Sequence, residues 1–371
     1  MEHAWIAGQP TTLDTAVAEA AKLLGASRYP LIAGLGTDVA GARAAIGLAR
    51  RTGAVIDHMH SDAMLRGLEV MWSCGVMLTT PSEMRARADT LLLVGAGLNE
   101  AWPELPQQVF ATARQRQSDV AAERRILWLC PGRDSTKLAF GEAPAEVIGK
   151  EPRDLPMLLA TLRARVAGRP TGNASISSKK LEEISNSLKA ARFGVAIWST
   201  AALDALTIEM LCGLVSDLNA STRFSGLPLG PADNARGVMQ TCGWMTGFPM
   251  RMAFGRGFPE HDAWLFDGRR LVVGGEVDCV VWISAYRAET PQWREQPPTI
   301  ALTAPGAAFR AAPRVHIEVG CPGVDHAAVQ HLVLADALAA VETKRPSDRI
   351  SVAGAIARIA SALPESGERP C

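Results

Sequence analysis

The chain of 371 residues predicts an α/β fold made of two Rossmann-like, open parallel-sheet domains. Three observations carry that prediction. Short apolar runs alternate with amphipathic stretches of helical length. Gly and Pro punctuate the boundaries between them. No apolar run approaches the ~18 residues that span a bilayer, so both kinds of element belong to packed domains rather than to a membrane.

The elements follow in order. Residues 12–24 predict a helix with Thr12 as N-cap, Leu13, Ala16, Val17, Ala20 and Leu24 on one face, and Gly25 as its stop. Residues 30–34 read as a buried strand, 39–51 as a helix ended by Gly53, and 54–56 as the next strand. This is a βαβ unit, for which a parallel sheet is the expected outcome. Residues 91–94 and 126–129 are strand-like, with a mostly helical stretch between them. The polar run at 168–180 reads as a connection, 195–198 as a strand and 203–218 as a helix. Residues 226–259 are rich in Gly and Pro and predict long loops with short helices. Strands are expected at 271–273, 280–283, 300–302 and 315–319, and helices at 325–341 and 350–362.

Composition excludes several functional classes. Lys plus Arg equals Asp plus Glu at 38 each, which leaves no electrostatic footprint for nucleic acid. The opening residues, MEHAWIAGQPTTLD, have neither a basic n-region nor an apolar h-region, so a cytoplasmic location is expected. Seven scattered Cys without a C-x-x-C pair read as reduced thiols and speak against an iron–sulfur cluster. Nine Trp against two Tyr point to packing or interface anchors, as an obligate complex would use.

Residues 54–105 are built like an active-site segment, with a strand emptying into a loop at a sheet edge where ligands bind in this fold class. Yet His58-Met59-His60-Ser61-Asp62-Ala63 carries no Cys, and the loop after residues 91–94 carries no His. Asp57, His58, His60 and Asp62 form the most metal-like cluster, since imidazole with carboxylate suits Zn or a similar ion; a solvated loop is the competing reading. Cys321, His326 and His331 could add ligands, but on a helix the two His point about 140° apart. Gly34-Leu35-Gly36-Thr37 begins like a dinucleotide loop, yet Val39 stands where a third Gly is needed, and a tight βα turn accounts for it. No G-x-S-x-G elbow is present, Cys130 reads as a core thiol, and Glu100 with Glu104 is either an acid/base pair or a solvated surface pair.

At this point the residues carry a resemblance. Residues 30–57 (PLIAGLG…ARRTGAVID), 82–95 (SEMRARADTLLLVG) and 234–249 (NARGVMQTCGWMTGFP) resemble the B subunit of formylmethanofuran dehydrogenase, in the molybdopterin oxidoreductase superfamily. The resemblance is greater to the B subunit of the bacterial formyltransferase/hydrolase complex, and it extends over about residues 10–335. It implies two domains like domains II and III of molybdopterin oxidoreductases: 1–60 plus 250–371 as a discontinuous domain, with 61–249 inserted.

The departures matter as much as the matches. The chain begins without the family's Cys-rich segment for a [4Fe–4S] cluster. The metal-ligating Cys of the family falls on Ala63, and the family's His-Pro-Arg-His run falls on residues 97–105, which keep Pro103 but no His or Arg. A methyl group offers no substitute for a thiolate. The resemblance thus implies a vestigial cofactor pocket at Ser61, Asp62, Ala63, Asn234 and Gly237, with no catalytic residue, no cofactor and no metal.

The implied function is a non-catalytic structural subunit in tetrahydromethanopterin-linked formaldehyde oxidation to formate. Its partners would be amidohydrolase-like, formyltransferase and glutamate-synthase-like subunits, with a methanofuran-type carrier handled by those partners. One alternative is a redox-active formylmethanofuran dehydrogenase subunit that binds molybdopterin or another metal through His58, His60 and Asp62. Another, an independent nucleotide-binding module, rests only on Gly34-Leu35-Gly36.

Overall fold

The computed structural model describes residues 3–107, 124–136, 145–172, 175–295 and 297–364. The chain divides into two compact units, one of Met1–Ser61, Ala232–His331 and Leu338–Cys371, the other of Asp62–Pro231 and Leu332–Ala337. Residues 232–249 therefore group with the first unit, because the helix Ala235–Thr246 packs on the helix Val39–Thr52 and on the strand Pro30–Gly36.

The first unit holds a nine-stranded sheet. Its order is Glu260–His261, Met252–Ala253, Val55–Ile56, Pro30–Gly36, Cys279–Ser284, Thr299–Thr303, Val315–Glu318, Ala4–Ile6 and Gln9–Pro10. The five central strands pair in parallel, and the two strands added at each edge join through antiparallel pairings. The strands Pro30–Gly36 and Cys279–Ser284 are buried at every position, as expected where helices cover both faces of a parallel sheet.

The helices start where their caps dictate. Thr12 accepts a hydrogen bond from the Thr15 amide to open Leu13–Ala26, and Asp38 accepts one from the Gly41 amide to open Val39–Thr52. Gly53, at φ 69°, closes the second of these in the left-handed region, as read from the sequence. The first runs on through Gly25 to Ala26.

The second unit holds a five-stranded, fully parallel sheet in the order Glu146–Ile148, Arg125–Leu129, Thr90–Val94, Gly194–Ser199 and Phe224–Leu229. Alternate residues feed two cores, as a period of two requires. Leu92, Val94, Leu127, Leu129 and Trp198 enter one core; Leu91, Leu93, Ile126, Trp128 and Ile197 enter the other. The expected strands at 91–94, 126–129 and 195–198 are present, and the helix at 203–218 is Ala205–Leu218, opened by Asp204. Part of the helical stretch expected between the first two strands, 108–123, lies outside the described residues.

Three local expectations are corrected. Residues 271–273 belong to the helix Gly268–Val273, because Asp267 accepts from the Arg270 amide and nucleates a turn that the apolar triplet could not reveal. Residues 325–341 are not a helix but a two-stranded ribbon, Ala328–Leu332 with Ala337–Val341. Asp336, at φ 49°, turns that ribbon, and strand pairing overrides the helix propensity of its Ala and Leu residues. The region 226–259 is more regular than expected, with the strand Phe224–Leu229 and the helix Ala235–Thr246 supplying most of its ordered backbone.

Candidate functional site

Open α/β sheets bind ligands where the strand order reverses, beyond the carboxyl ends of the strands. In the first unit that point lies between Pro30–Gly36 and Cys279–Ser284. The chain's own atoms crowd it at Gly36. A Cβ built on Gly36 would lie 3.2 Å from Met59 Cε, 3.4 Å from Asp233 Cβ and 3.5 Å from Ser284 Cα.

Gly34 serves this junction by closeness of approach. At φ 78°, its missing Cβ would stand 2.5 Å from the Ile283 carbonyl oxygen, so the two strands meet only because position 34 is glycine. The turn therefore answers to strand packing. The Asp38 carboxylate occupies the start of the following helix, where a dinucleotide would place its phosphate.

Asp233 is the centre of the filled crevice. Its side chain is 1% exposed and accepts from Arg287 Nε at 2.9 Å, from Arg287 Nη2, and from His60 Nε2 at 3.0 Å. Burial pushes this carboxyl up, but the hydrogen bonds and charges of His60 and Arg287 outweigh that and hold it at about 2. Asp233 and Asn234 both adopt left-handed backbone, at φ 58° and 57°. Two consecutive non-glycine residues there store strain that surrounding contacts must hold.

Those contacts are present. Asn234 Nδ2 donates to the Thr37 carbonyl at 2.8 Å, and Asn234 Oδ1 accepts from the His331 amide at 2.8 Å. The Asn234 side chain lies directly over Gly237, where a Cβ would collide with Oδ1. The Asn-x-x-Gly spacing thus has a packing cause in this chain.

Behind the crevice lies a second buried network. Asp57 accepts from Ser61 Oγ at 2.5 Å and from the Gly268 amide at 2.8 Å, and Arg251 Nε lies 3.5 Å from it. Arg251 also pairs with Asp267 at 2.5 Å and donates to the Ala263 carbonyl at 2.6 Å. Burial raises the Asp57 carboxyl to about 6, against the lowering effects of Arg251, Ser61 and the Gly268 amide.

His58 is buried between the two networks. Its Nδ1 accepts from the His60 amide at 3.0 Å. Burial first, and then the neighbouring His60, press it down to about 3, so it is neutral at physiological pH. An unfolded His takes its proton near 6.5, so stability from His58 is complete above that value and is lost as pH falls towards 3. His58→Asn keeps an acceptor and removes the titration. The variant is expected to gain stability relative to the unmodified chain between pH 7.5 and pH 5, measured by urea unfolding at both values.

The sequence-nominated residues are distributed as follows. His60 faces Asp233, His58 Nδ1 faces its own loop, and Ser61 binds Asp57. Asp62 is exposed and Ala63 buried in the first turn of the helix Ser61–Cys74, which belongs to the second unit from Asp62 onward. Among the described residues, no group of three or more His, Cys, Asp or Glu is placed to hold a metal ion. His331 lies on a strand, Cys321 and His326 lie in the loop before it, and Cys130 is a buried thiol raised to about 11 by burial.

The sequence reading missed Asp233, Arg251, Asp267 and Arg287. The consecutive Asp233-Asn234, both tolerant of left-handed backbone, was the one available signal. The other three residues act through partners that the linear pattern does not reveal.

The second unit repeats the closure. Its strand order reverses between Thr90–Val94 and Gly194–Ser199, and there a Cβ on Gly97 would lie 2.8 Å from Ala202 Cβ and 3.2 Å from Ser199 Cβ. Glu100 and Glu104, nominated as an acid/base pair, lie just beyond, both on the exposed side.

No protein-family model matches the chain. The chain is 35% identical to the B subunit of the formyltransferase/hydrolase complex Fhc from Methylorubrum extorquens, over 98% of its own length and 99% of the relative's. It is 26% identical to the B subunit of tungsten-containing formylmethanofuran dehydrogenase 2 from Methanocaldococcus jannaschii, over 73% of this chain and 64% of that one. It thus spans less than two thirds of the archaeal protein. Among solved structures it matches the crystal structure of the formyltransferase/hydrolase complex FhcABCD from M. extorquens in complex with methylofuran. That match has a TM-score of 0.84 and 34% identity, and covers 96% of this chain and 98% of the matched one. Mixed α/β architecture, parallel-strand sheets and 35% identity over nearly the full length converge on one conclusion: the chain belongs to the family of B subunits of the formyltransferase/hydrolase complex.

Proposed function

We propose that this chain is a non-catalytic structural subunit of a cytoplasmic formyltransferase/hydrolase complex acting in tetrahydromethanopterin-linked oxidation of formaldehyde to formate. Its partners are amidohydrolase-like, formyltransferase and glutamate-synthase-like subunits, which handle a methanofuran-type carrier. The observation that carries this reading is Ala63. By the resemblance, it stands where the family's redox members present a metal thiolate, and here it is a buried methyl. The remaining residues do not fit a molybdenum or tungsten centre either. His60 is committed to Asp233, and His58 is held neutral with its Nδ1 bonded to its own loop.

Two further facts support the reading. At the strand-order reversal of each unit, the space beside Gly36 and beside Gly97 is occupied by the chain's own atoms. Trp72, Trp244 and Trp264 are largely exposed, as interface anchors are before a partner covers them. None of the described helices is long and apolar enough to cross a membrane.

Elemental and pterin analysis of the intact purified complex tests the proposal. The expected result is no stoichiometric molybdenum or tungsten and no pterin on this chain, together with retained hydrolase and transferase activity. One equivalent of either metal on this chain would restore the redox reading.

A further inference from the structure

The first unit carries a cavity of about 570 Å³ at the amino ends of the strands Thr299–Thr303 and Val315–Glu318, beside the C-terminal half of the helix Leu13–Ala26. The crevice around Asp233 lies beyond carboxyl ends, and the two share no residue. Small-molecule sites occupy roughly 300–1,000 Å³, so the size suits a compact ligand.

Two aromatic side chains give the cavity fixed walls. Trp293 meets Trp282 edge to face, with ring centres 5.4 Å apart at 87°, and Trp282 belongs to the buried core. Phe309 meets His316 in the same way, at 5.2 Å and 72°. His316 is itself stacked on Trp5 and hydrogen-bonded to Thr303 Oγ1. Rings braced from behind lose little freedom when a ligand arrives.

The charges around these walls are uneven. Arg314 donates twice to Glu19 Oε1, at 2.8 and 2.6 Å, so that pair is neutral. Glu295 accepts from the Arg294 amide. Lys22 and Arg310 line the cavity with no hydrogen-bond or ion-pair partner among the described residues. The lining therefore holds one positive charge in excess, next to an apolar surface.

We infer that this cavity binds a small aromatic carboxylate, its ring against Trp293 and Phe309 and its single negative charge met by Lys22 and Arg310. A monoanion cancels the surplus charge. A flat ring meets two ring walls in the offset or edge-to-face geometries that aromatic groups prefer. The carboxylate suits Arg310 in particular, since a guanidinium presents two parallel donors to its two oxygens. The site does not depend on the structural role proposed above, because it uses none of the residues that close the crevices.

Calorimetric titration of the full-length protein with 2-naphthoate, and with the neutral 2-naphthamide, tests this. The expected result is saturable one-to-one binding of the acid with Kd below about 1 mM, about tenfold tighter than the amide. Lys22 and Arg310 are exposed, so K22Q/R310Q keeps the fold, and it is expected to bind acid and amide alike. Phe309→Ala should weaken both ligands by about fivefold and leave their ratio unchanged. The inference is overturned if the acid does not saturate, if the amide binds as tightly, or if K22Q/R310Q still prefers the acid.

Discussion

Methionine in place of Arg251 is expected to destabilise the protein by about 3–5 kcal/mol near pH 7.5, the range found when one partner of a buried ion pair is removed. The Arg251 side chain is 10% exposed and bridges Asp57, Asp267 and the Ala263 carbonyl. Methionine fills most of its volume and satisfies none of those groups. The worst-placed survivor is Asp57, which burial already holds at about 6 with Arg251 beside it.

The pH dependence carries its own sign. A carboxyl whose folded value stands above the unfolded value of ~3.9 opposes folding as it ionises, so the contribution of Asp57 to stability is lost as pH rises from about 4 to about 6, opposite in sign to that of His58. Without the guanidinium that window extends upward, and the loss continues beyond pH 6. Urea unfolding of both proteins from pH 5 to pH 8 measures the effect. A difference under about 1 kcal/mol at pH 7.5 would show that water or a neighbouring group replaces Arg251 at no cost.

Asp233→Ala should lower stability by about 2–4 kcal/mol, because it deletes the acceptor of three charge-assisted hydrogen bonds and leaves a non-glycine residue at φ 58°. The loss stays below that of a fully buried triad because the Arg287 side chain is 43% exposed and regains water. Asp233→Asn keeps a residue suited to left-handed backbone and is expected to lose less.

Because Asp233 is held at about 2, below its unfolded value, its contribution is present above ~pH 3.9 and is lost as pH falls through 2. The alanine variant should lack that acid-side component in thermal unfolding at pH 3 and pH 7. Equal acid sensitivity in the two proteins would mean that Asp233 is not the group responsible.

The parts of this molecule that were legible in its sequence share a local cause. The βαβ unit around the helix Val39–Thr52 could be read because its strands are short apolar runs and its stop is a glycine in left-handed backbone. The three central strands of the five-stranded sheet could be read because strands buried on both faces announce themselves as unbroken apolar runs, whereas its edge strands Glu146–Ile148 and Phe224–Leu229 were not expected. Misreadings occurred where a distant partner decides. Residues 328–341 have helical composition, and strand pairing wins. Residues 271–273 resemble a strand until Asp267 caps them.

The candidate site divides in the same way. Its loop could be read from composition, since the run His58–Ala63 carries no Cys and the loop after residues 91–94 carries no His. The contents of the crevice could not be read. Asp233 meets His60 across 173 residues and Arg287 across 54, and no periodicity encodes such meetings.

The strained pair Asp233-Asn234 also bears on ancestry and on engineering. Each of its supports depends on the others: Arg287 and His60 on the carboxylate, Thr37 and His331 on the amide, and Gly237 on the space that the amide occupies. Emptying the crevice by any one substitution therefore begins with a loss of stability, before any ligand is present to compensate. Such an arrangement works as a ratchet, because undoing it takes several coordinated changes. A redesign that aims to seat a cofactor here has to replace the seal as a block, from Asp233 to Gly237 together with Arg287, before adding a single ligand.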